Sequence, residues 1–310
     1  MVQADSDIAA LDLEDFAFEL EDQGLTIVPP EKTGVPIDKL DYATSVLLNR
    51  FTEITGGCPI SVEVGPMGEL EFSNGAKSRF PGSEDDTPQP TQMLIQQLLK
   101  LDRCFRDLVV NPVANALIDH LVGPEGNNAP QPPGEPPPKA RRLSSVNSFV
   151  KWQGDYGYGP NLGLHVDQNG SAKPWGKNSL ACNAMWCLTD YSKAGGALAY
   201  VPGSHKSNAT PTGTNEQHLA VPVEAPRGSL VVWHGATWHG AFPKLTPGLR
   251  LNVTAYYRHL MVMPQENLTI TMVDAPWDDC DDPDAMRELI GFDDRFPYAE
   301  PSRSVPRFVG

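Results

Sequence analysis

Apolar and polar positions recur along the chain with two periods, one helical and one of strands. Residues 11–22 interleave acidic and apolar side chains at helical spacing, and Gly24-Leu25-Thr26-Ile27-Val28 follows as a strand. Residues 38–54 place Leu40, Val46, Leu47 and Phe51 on one face of a second helix. Gly, Pro, Ser and charge dominate residues 56–90, which predicts loops around a hairpin of Ser61-Val62-Glu63-Val64 against Glu69-Leu70-Glu71-Phe72. Leu94, Ile95, Leu98, Leu99, Leu101 and Phe105 predict a helix over 92–121, divided by Asn111-Pro112. Seven prolines from Pro124 to Lys139 predict a flexible insert, too polar to order by burial. Gly228–His234 then opens on a turn residue and continues as a buried apolar strand, and Leu249–Tyr257 reads as another. The chain thus divides into N-terminal helices and strands packing on the core (1–123), the Pro-rich insert (124–140), a β core (141–260) and an acidic C-terminal extension (261–310). Together they make one mainly β domain with flanking helices.

Length and charge sharpen this picture. A chain of 310 residues with 40% hydrophobic side chains suffices for one sheet-based domain with additions. The formal charge of −15 is uneven: residues 141–260 hold 11 Lys and Arg against 5 Asp and Glu, so this part is +6 and the remainder −21. A locally basic core suits a small anion, whereas the acidity elsewhere argues against nucleic acid, which needs a concentrated basic face. Five cysteines without a Cys-x-x-Cys indicate neither a disulfide framework nor a zinc ribbon, and a reducing cytoplasm is expected. The N-terminus lacks a basic and an apolar leader region, and no run of 18 apolar residues suggests a membrane span. Five aspartates within 278–284 lack the glycine and distal glutamate of an EF-hand and read as a solvated acidic loop, with a lid role left open beside Trp277.

The candidate chemistry lies in the β core. His165-Val166-Asp167 is followed 74 residues later by His239, and Arg250 comes 11 residues after that. Two imidazoles and one carboxylate form the facial triad that holds non-haem Fe(II) and leaves positions open for a bidentate co-substrate and O2. Arg250 adds a planar fork suited to the far carboxylate of 2-oxoglutarate. His-x-Asp alone is a weak signal, but Gly154, Gly157, Gly159, Pro160 and Gly163 make a turn-rich approach that sets His165 where a loop meets a strand. His234 lies five residues before His239 and competes with it for the ligand role. His205, after the turn Pro202-Gly203-Ser204, reads as structural, and His120, His218 and His259 as surface residues.

Several segments, in order and spacing, resemble the phytanoyl-CoA dioxygenase family over roughly residues 105–260. They are Asn147-Ser148-Phe149-Val150-Lys151, Leu164–Asp167, Trp186–Asp190, Gly195-Gly196-Ala197-Leu198, Val201–Lys206, Trp238-His239-Gly240 and Arg250. The resemblance implies a double-stranded β-helix core of the jelly-roll, cupin-like kind. It implies His165, Asp167 and His239 as ligands of Fe(II) and Arg250 as the 2-oxoglutarate clamp, with Trp186 and Asn147 lining the co-substrate pocket. Gly240-Ala241 departs from the Gly-Ser of many members, which leaves Thr237 or Asn252 to serve the co-substrate carboxylate. Retention of Asp167 argues against halogenation. The implied reaction consumes 2-oxoglutarate and O2, releases succinate and CO2, and oxidises, most simply hydroxylates, a C–H bond of a small-molecule metabolite or natural-product intermediate. A homodimer is compatible with this reading, and no nucleic acid or membrane partner is expected. Two rivals remain at this stage: a non-catalytic jelly-roll binding protein and a cupin-type metalloenzyme that uses no 2-oxoglutarate.

Overall fold

The apolar runs of the C-terminal half pair with one another as antiparallel strands, and the N-terminal half covers one face of the sheet they form. A computed structural model describes residues 3–68, 70, 91–124, 139–154 and 160–294. The interior of the Pro-rich insert, and Glu69, Glu71 and Phe72 of the expected hairpin, lie outside the described residues. In chain order the strands are β1 (Leu25–Val28), β2 (Ile60–Ser61), β3 (Gly65–Pro66), β4 (Gln92–Ile95), β5 (Arg141–Lys151), β6 (Ala181–Cys187), β7 (Leu198–Tyr200), β8 (Val221–Pro222), β9 (Leu230–His234), β10 (His239–Ala241) and β11 (Asn252–His259). The helices are α1 (Gln3–Ala10), α2 (Glu14–Gln23), α3 (Pro30–Thr33), α4 (Ile37–Ile54), α5 (Leu98–Leu101), α6 (Arg103–Val109), α7 (Pro112–Val122), α8 (Leu268–Thr271) and α9 (Pro283–Ile290).

A six-stranded sheet has the order β1-β9-β6-β11-β5-β4, and a three-stranded sheet the order β10-β7-β8. Isolated bridges, His165 to His239 and Gly154 and Gly195 to Lys244, tie loops to the smaller sheet and the segment beyond it. Period-two alternation assigns the two faces of the large sheet. On β11 Asn252, Thr254 and Tyr256 look into the space between the sheets, while Val253, Ala255 and Tyr257 join the helical core. On β9 Trp233 faces inward and Val232 outward. The outward side is covered by α7, apolar almost all round and buried along its length, as such a helix must be. Asn111 caps it, its side-chain oxygen accepting from the N–H groups of Val113 and Ala114, with Pro112 in the first turn where no N–H is needed.

The helix expected over 92–121 begins later than its pattern suggested. Gln92–Ile95 is an edge strand, paired with Lys151 through Ser148 on β5. Apolar residues at 94, 95, 98 and 99 fit a helical face equally well; the open edge of β5, whose backbone groups need partners, decides for the strand. Gln97, in the left-handed region at φ 59°, then turns the chain into α5, and Asp102 caps α6 by accepting from the Cys104 N–H at 2.8 Å. The hairpin is also shorter than expected, turning through Val62–Val64 so that Ile60–Ser61 pairs with Gly65–Pro66. The aspartates of 278–284 do not form a merely solvated loop. Asp279 and Asp281 pair with Arg103, Asp279 with Arg106 and Asp281 with Lys39, while Asp282 caps α9. These bonds fasten the C-terminal segment to α4 and α6. All five cysteines are buried thiols.

Candidate metal centre

His165 and His239 reach one another through backbone before side chains are considered. Each donates its N–H to the other's carbonyl, at 2.9 and 3.0 Å. Their rings lie with centroids 4.2 Å apart. Gly240, directly after His239, permits this approach: a Cβ there would lie 2.1 Å from the Leu162 carbonyl oxygen, in the turn that leads into His165. Asp167 is placed by its N–H, which donates to the Gly235 carbonyl at 2.8 Å.

The side chains converge. Asp167 Oδ1 lies 3.7 Å from His165 Nε2, and Oδ2 lies 3.5 Å from His239 Nε2. One ligand atom from each residue falls within 4.8 Å of the others, spacing that a single ion can span. Both histidines commit Nδ1 to a backbone carbonyl, His165 to Gly163 at 2.8 Å and His239 to Thr237 at 2.9 Å, which puts the proton on Nδ1 and turns Nε2 to the shared centre. Burial holds the His239 imidazole down to about 4 against the pull of Asp167, so at neutral pH it is the uncharged base a metal requires. Asn183 Nδ2 donates to Asp167 Oδ2 at 2.7 Å and orients the carboxylate from outside the triad. The donor set of two imidazole nitrogens and one carboxylate on one side of a cavity fits a facially held Fe(II).

That cavity encloses about 350 Å³ and is lined from both sheets. Beyond the three ligands its wall includes Asn147 and Phe149 from β5, Met185 from β6, Trp233 from β9, and Asn252 and Tyr256 from β11. Arg250 lies in the same wall, 4% exposed, its guanidinium carbon 5.4 Å from the centre of the Tyr191 ring. Its Nη2 makes one long bond, 3.4 Å to Gln92 Oε1, and its Nε has no hydrogen-bond partner among the described residues. Five rigid donors held out of water with so little in return are prepared for an anion.

Asn147 stands in the wall, its Nδ2 donating to Ser145 Oγ and its Oδ1 unpartnered. Two expected pocket residues stand elsewhere. Trp186 is 1% exposed and packs in the helical core, because on β6 the inward positions are Asn183 and Met185 and the next residue must point away. Thr237 does not line the cavity; its hydroxyl donates to the Gly24 carbonyl at 2.7 Å and its own carbonyl holds His239. Of the two candidates offered against the alanine at 241, Asn252 is therefore the one in place. Its Oδ1 accepts from the Phe149 N–H and its Nδ2 donates to Tyr191 Oη. His234 is excluded from the metal by its own bonds: Nδ1 accepts from the Ala236 N–H at 3.0 Å and its ring packs against His205. Sequence reasoning missed Gln92 and Asn183, whose roles arise only from strand pairing.

Comparisons agree with this geometry. Residues 67–252 match the phytanoyl-CoA dioxygenase family. Dioxygenase af480 of Aspergillus fumigatus is 30% identical over 183 residues, 58% of this chain and 53% of that protein, so the chain spans about half the length of this relative. Phytanoyl-CoA dioxygenase 1 of Oryza sativa is 33% identical over 82 residues, 22% of this chain and 29% of its own. Among solved structures, HygX of Streptomyces hygroscopicus, with nickel and 2-oxoglutarate bound, superimposes with a TM-score of 0.54 at 16% identity, covering 81% of this chain and 88% of its own. The non-haem α-ketoglutarate-dependent epimerase SnoN from nogalamycin biosynthesis does so with a TM-score of 0.52 at 18% identity over 83% and 86% of the two chains. The fold is thus the jelly-roll type shared with these two proteins, and no helix among the described residues is long and apolar enough to cross a membrane. With the family match covering more than half of its length and the triad assembled within it, this chain belongs to the phytanoyl-CoA dioxygenase family.

Proposed function

We propose that the chain is an Fe(II)- and 2-oxoglutarate-dependent oxygenase that hydroxylates a C–H bond of a small, uncharged metabolite, releasing succinate and CO2. The observation that carries this reading is one cavity holding both the convergent His165-Asp167-His239 set and a buried Arg250 that pairs with no carboxylate among the described residues. Bound iron supplies the oxidising chemistry. The chain supplies orientation: His165, Asp167 and His239 hold one face of the ion, and Arg250 draws in the distal carboxylate of 2-oxoglutarate. Trp233, 5.4 Å from the His239 ring, and Met185 shield the centre from water.

The rest of the lining favours a neutral substrate. Asn147, Asn183, Asn252, Thr254, Tyr256 and Gln265 offer hydrogen bonds without charge, and among the described residues no cation besides Arg250 lines the cavity. A substrate bearing several phosphates would find no partner there. That HygX and SnoN share the fold, SnoN from nogalamycin biosynthesis, supports a natural-product intermediate over an acyl thioester. A purely binding jelly-roll, or a cupin-type metalloenzyme without co-substrate, would leave the Arg250 arrangement without use.

The test is anaerobic titration with Fe(II) and then 2-oxoglutarate. A weak visible charge-transfer band that needs both additions, and is lost in His239→Ala, is expected; Fe(II) binding without any such band would favour the cupin-type reading. Candidate substrates are then ranked by succinate release in air.

A further inference from the structure

Lys151 ends β5 on the same face as Asn147 and Phe149, so its side chain runs between the sheets. It is 0% exposed, and its Nζ donates to the Phe242 carbonyl at 2.9 Å. Across the strand it is bridged to Arg250, each N–H donating to the other's carbonyl at 3.1 and 2.8 Å, which sets the two side chains on one face. From β4 the residue opposite is Gln92, uncharged. The segment after β10 brings Lys244, 3% exposed, whose Nζ is held by Thr246 and Pro247 oxygens. The charged groups that act on Lys151 are Arg250 and Lys244, and no carboxylate among the described residues is one of them.

Three buried cationic side chains together without an anion form an incomplete electrostatic unit, because each has lost water and repels the others. Arginine cannot shed its proton, but lysine can. We propose that Lys151 is a proton-switched positioning residue of the co-substrate site: neutral while the site is empty, it takes up a proton when a dicarboxylate such as 2-oxoglutarate pairs with Arg250. Burial first, then Arg250 and Lys244, push its ammonium down to about 6, so the empty site at neutral pH holds mostly the free amine. The incoming carboxylate cancels the repulsion and favours the ammonium. The site thereby turns one fixed positive charge into two only when the anion is present. In sign, binding raises the pKa of Lys151, so affinity for 2-oxoglutarate is highest below the empty-site value and weakens by up to about tenfold per pH unit as pH rises through the neutral range.

This proposal rests on Arg250 as the 2-oxoglutarate clamp, and calorimetry separates the two. 2-Oxoglutarate is titrated into Mn(II)-loaded protein at pH 7.4 in PIPES, HEPES and Tris, whose ionisation enthalpies differ, and the slope of heat against ionisation enthalpy counts protons. Uptake of about one proton is expected for the unsubstituted protein, and none for Lys151→Met or Lys151→Arg, both checked for folding by near-ultraviolet circular dichroism. Binding with no proton uptake, or uptake that persists in Lys151→Met, would overturn the proposal while leaving the clamp intact. Absence of 2-oxoglutarate binding by the Mn(II)-loaded protein would overturn the clamp reading itself.

Discussion

Arg250→Met separates stability from function in a way that a structural arginine would not. In the empty site the Arg250 guanidinium is 4% exposed, with Nε unpartnered and one 3.4 Å contact to Gln92. Removing an ion from water costs several kcal/mol, of which the desolvated cation–π contact with Tyr191 returns about 2 kcal/mol. Repulsion from Lys244 adds to the deficit. Methionine fills much of the same channel without charge, and replacing buried ions by apolar side chains of similar volume is worth roughly 1–4 kcal/mol. The metal-loaded variant without co-substrate should therefore unfold a few degrees higher than the unsubstituted protein. Adding 2-oxoglutarate reverses the order. At 100 times its Kd the co-substrate stabilises the unsubstituted protein by about 2.7 kcal/mol. The variant, having lost a buried charge partner worth roughly 2–5 kcal/mol, gains almost nothing. Thermal unfolding followed across a 2-oxoglutarate series reads both effects in one experiment, and the two curves should cross. A variant destabilised in the absence of co-substrate, yet still raised by it, would show that Arg250 supports the fold and that the anion binds elsewhere.

His165→Ala and His239→Ala should each abolish tight Fe(II) or Mn(II) binding by calorimetry while leaving the far-ultraviolet spectrum intact. Asn183→Ala removes the 2.7 Å bond to Asp167 Oδ2 and should weaken metal affinity 10- to 100-fold, as loss of such an orienting partner usually does; an unchanged Kd would mean that Asp167 is positioned by its backbone alone. His234, pushed down to about 4 by burial and by His205, stays neutral in the native state where the unfolded chain takes a proton. Stability should therefore fall by up to about 1.4 kcal/mol per pH unit between pH 6.5 and 4 from this group. Urea unfolding of His234→Gln, whose amide oxygen still accepts from the Ala236 N–H, should show a shallower dependence over that window.

What the chain discloses without coordinates depends on how local the determining contact is. His165 and Asp167 sit at fixed spacing on one segment, and His239 and Arg250 follow at definite spacings from it, so the candidate metal and co-substrate residues could be named from the sequence. The large sheet's β1, α4 and the break at Asn111-Pro112 are local in the same sense. The apolar spacing of Gln92–Ile95 satisfies a helix as well as a strand, and only the edge of β5, 53 to 59 residues further on at Ser148–Lys151, decides between them. Trp186 shows a subtler limit. The face it occupies is set by the register of β6 between β9 and β11, which pairs Trp186 with Leu230 and Val253 on the helical side. A shift of one residue exchanges the two faces, so the inward wall belongs to Met185 and Asn183, and the tryptophan anchors the sheet to the helices. The same parity turns Lys151 inward beside Arg250. Its burial follows only from the pairing of β5 with Arg250. The candidate triad is thus named by residues at short and regular spacings, whereas the surroundings of Arg250 are written across strands.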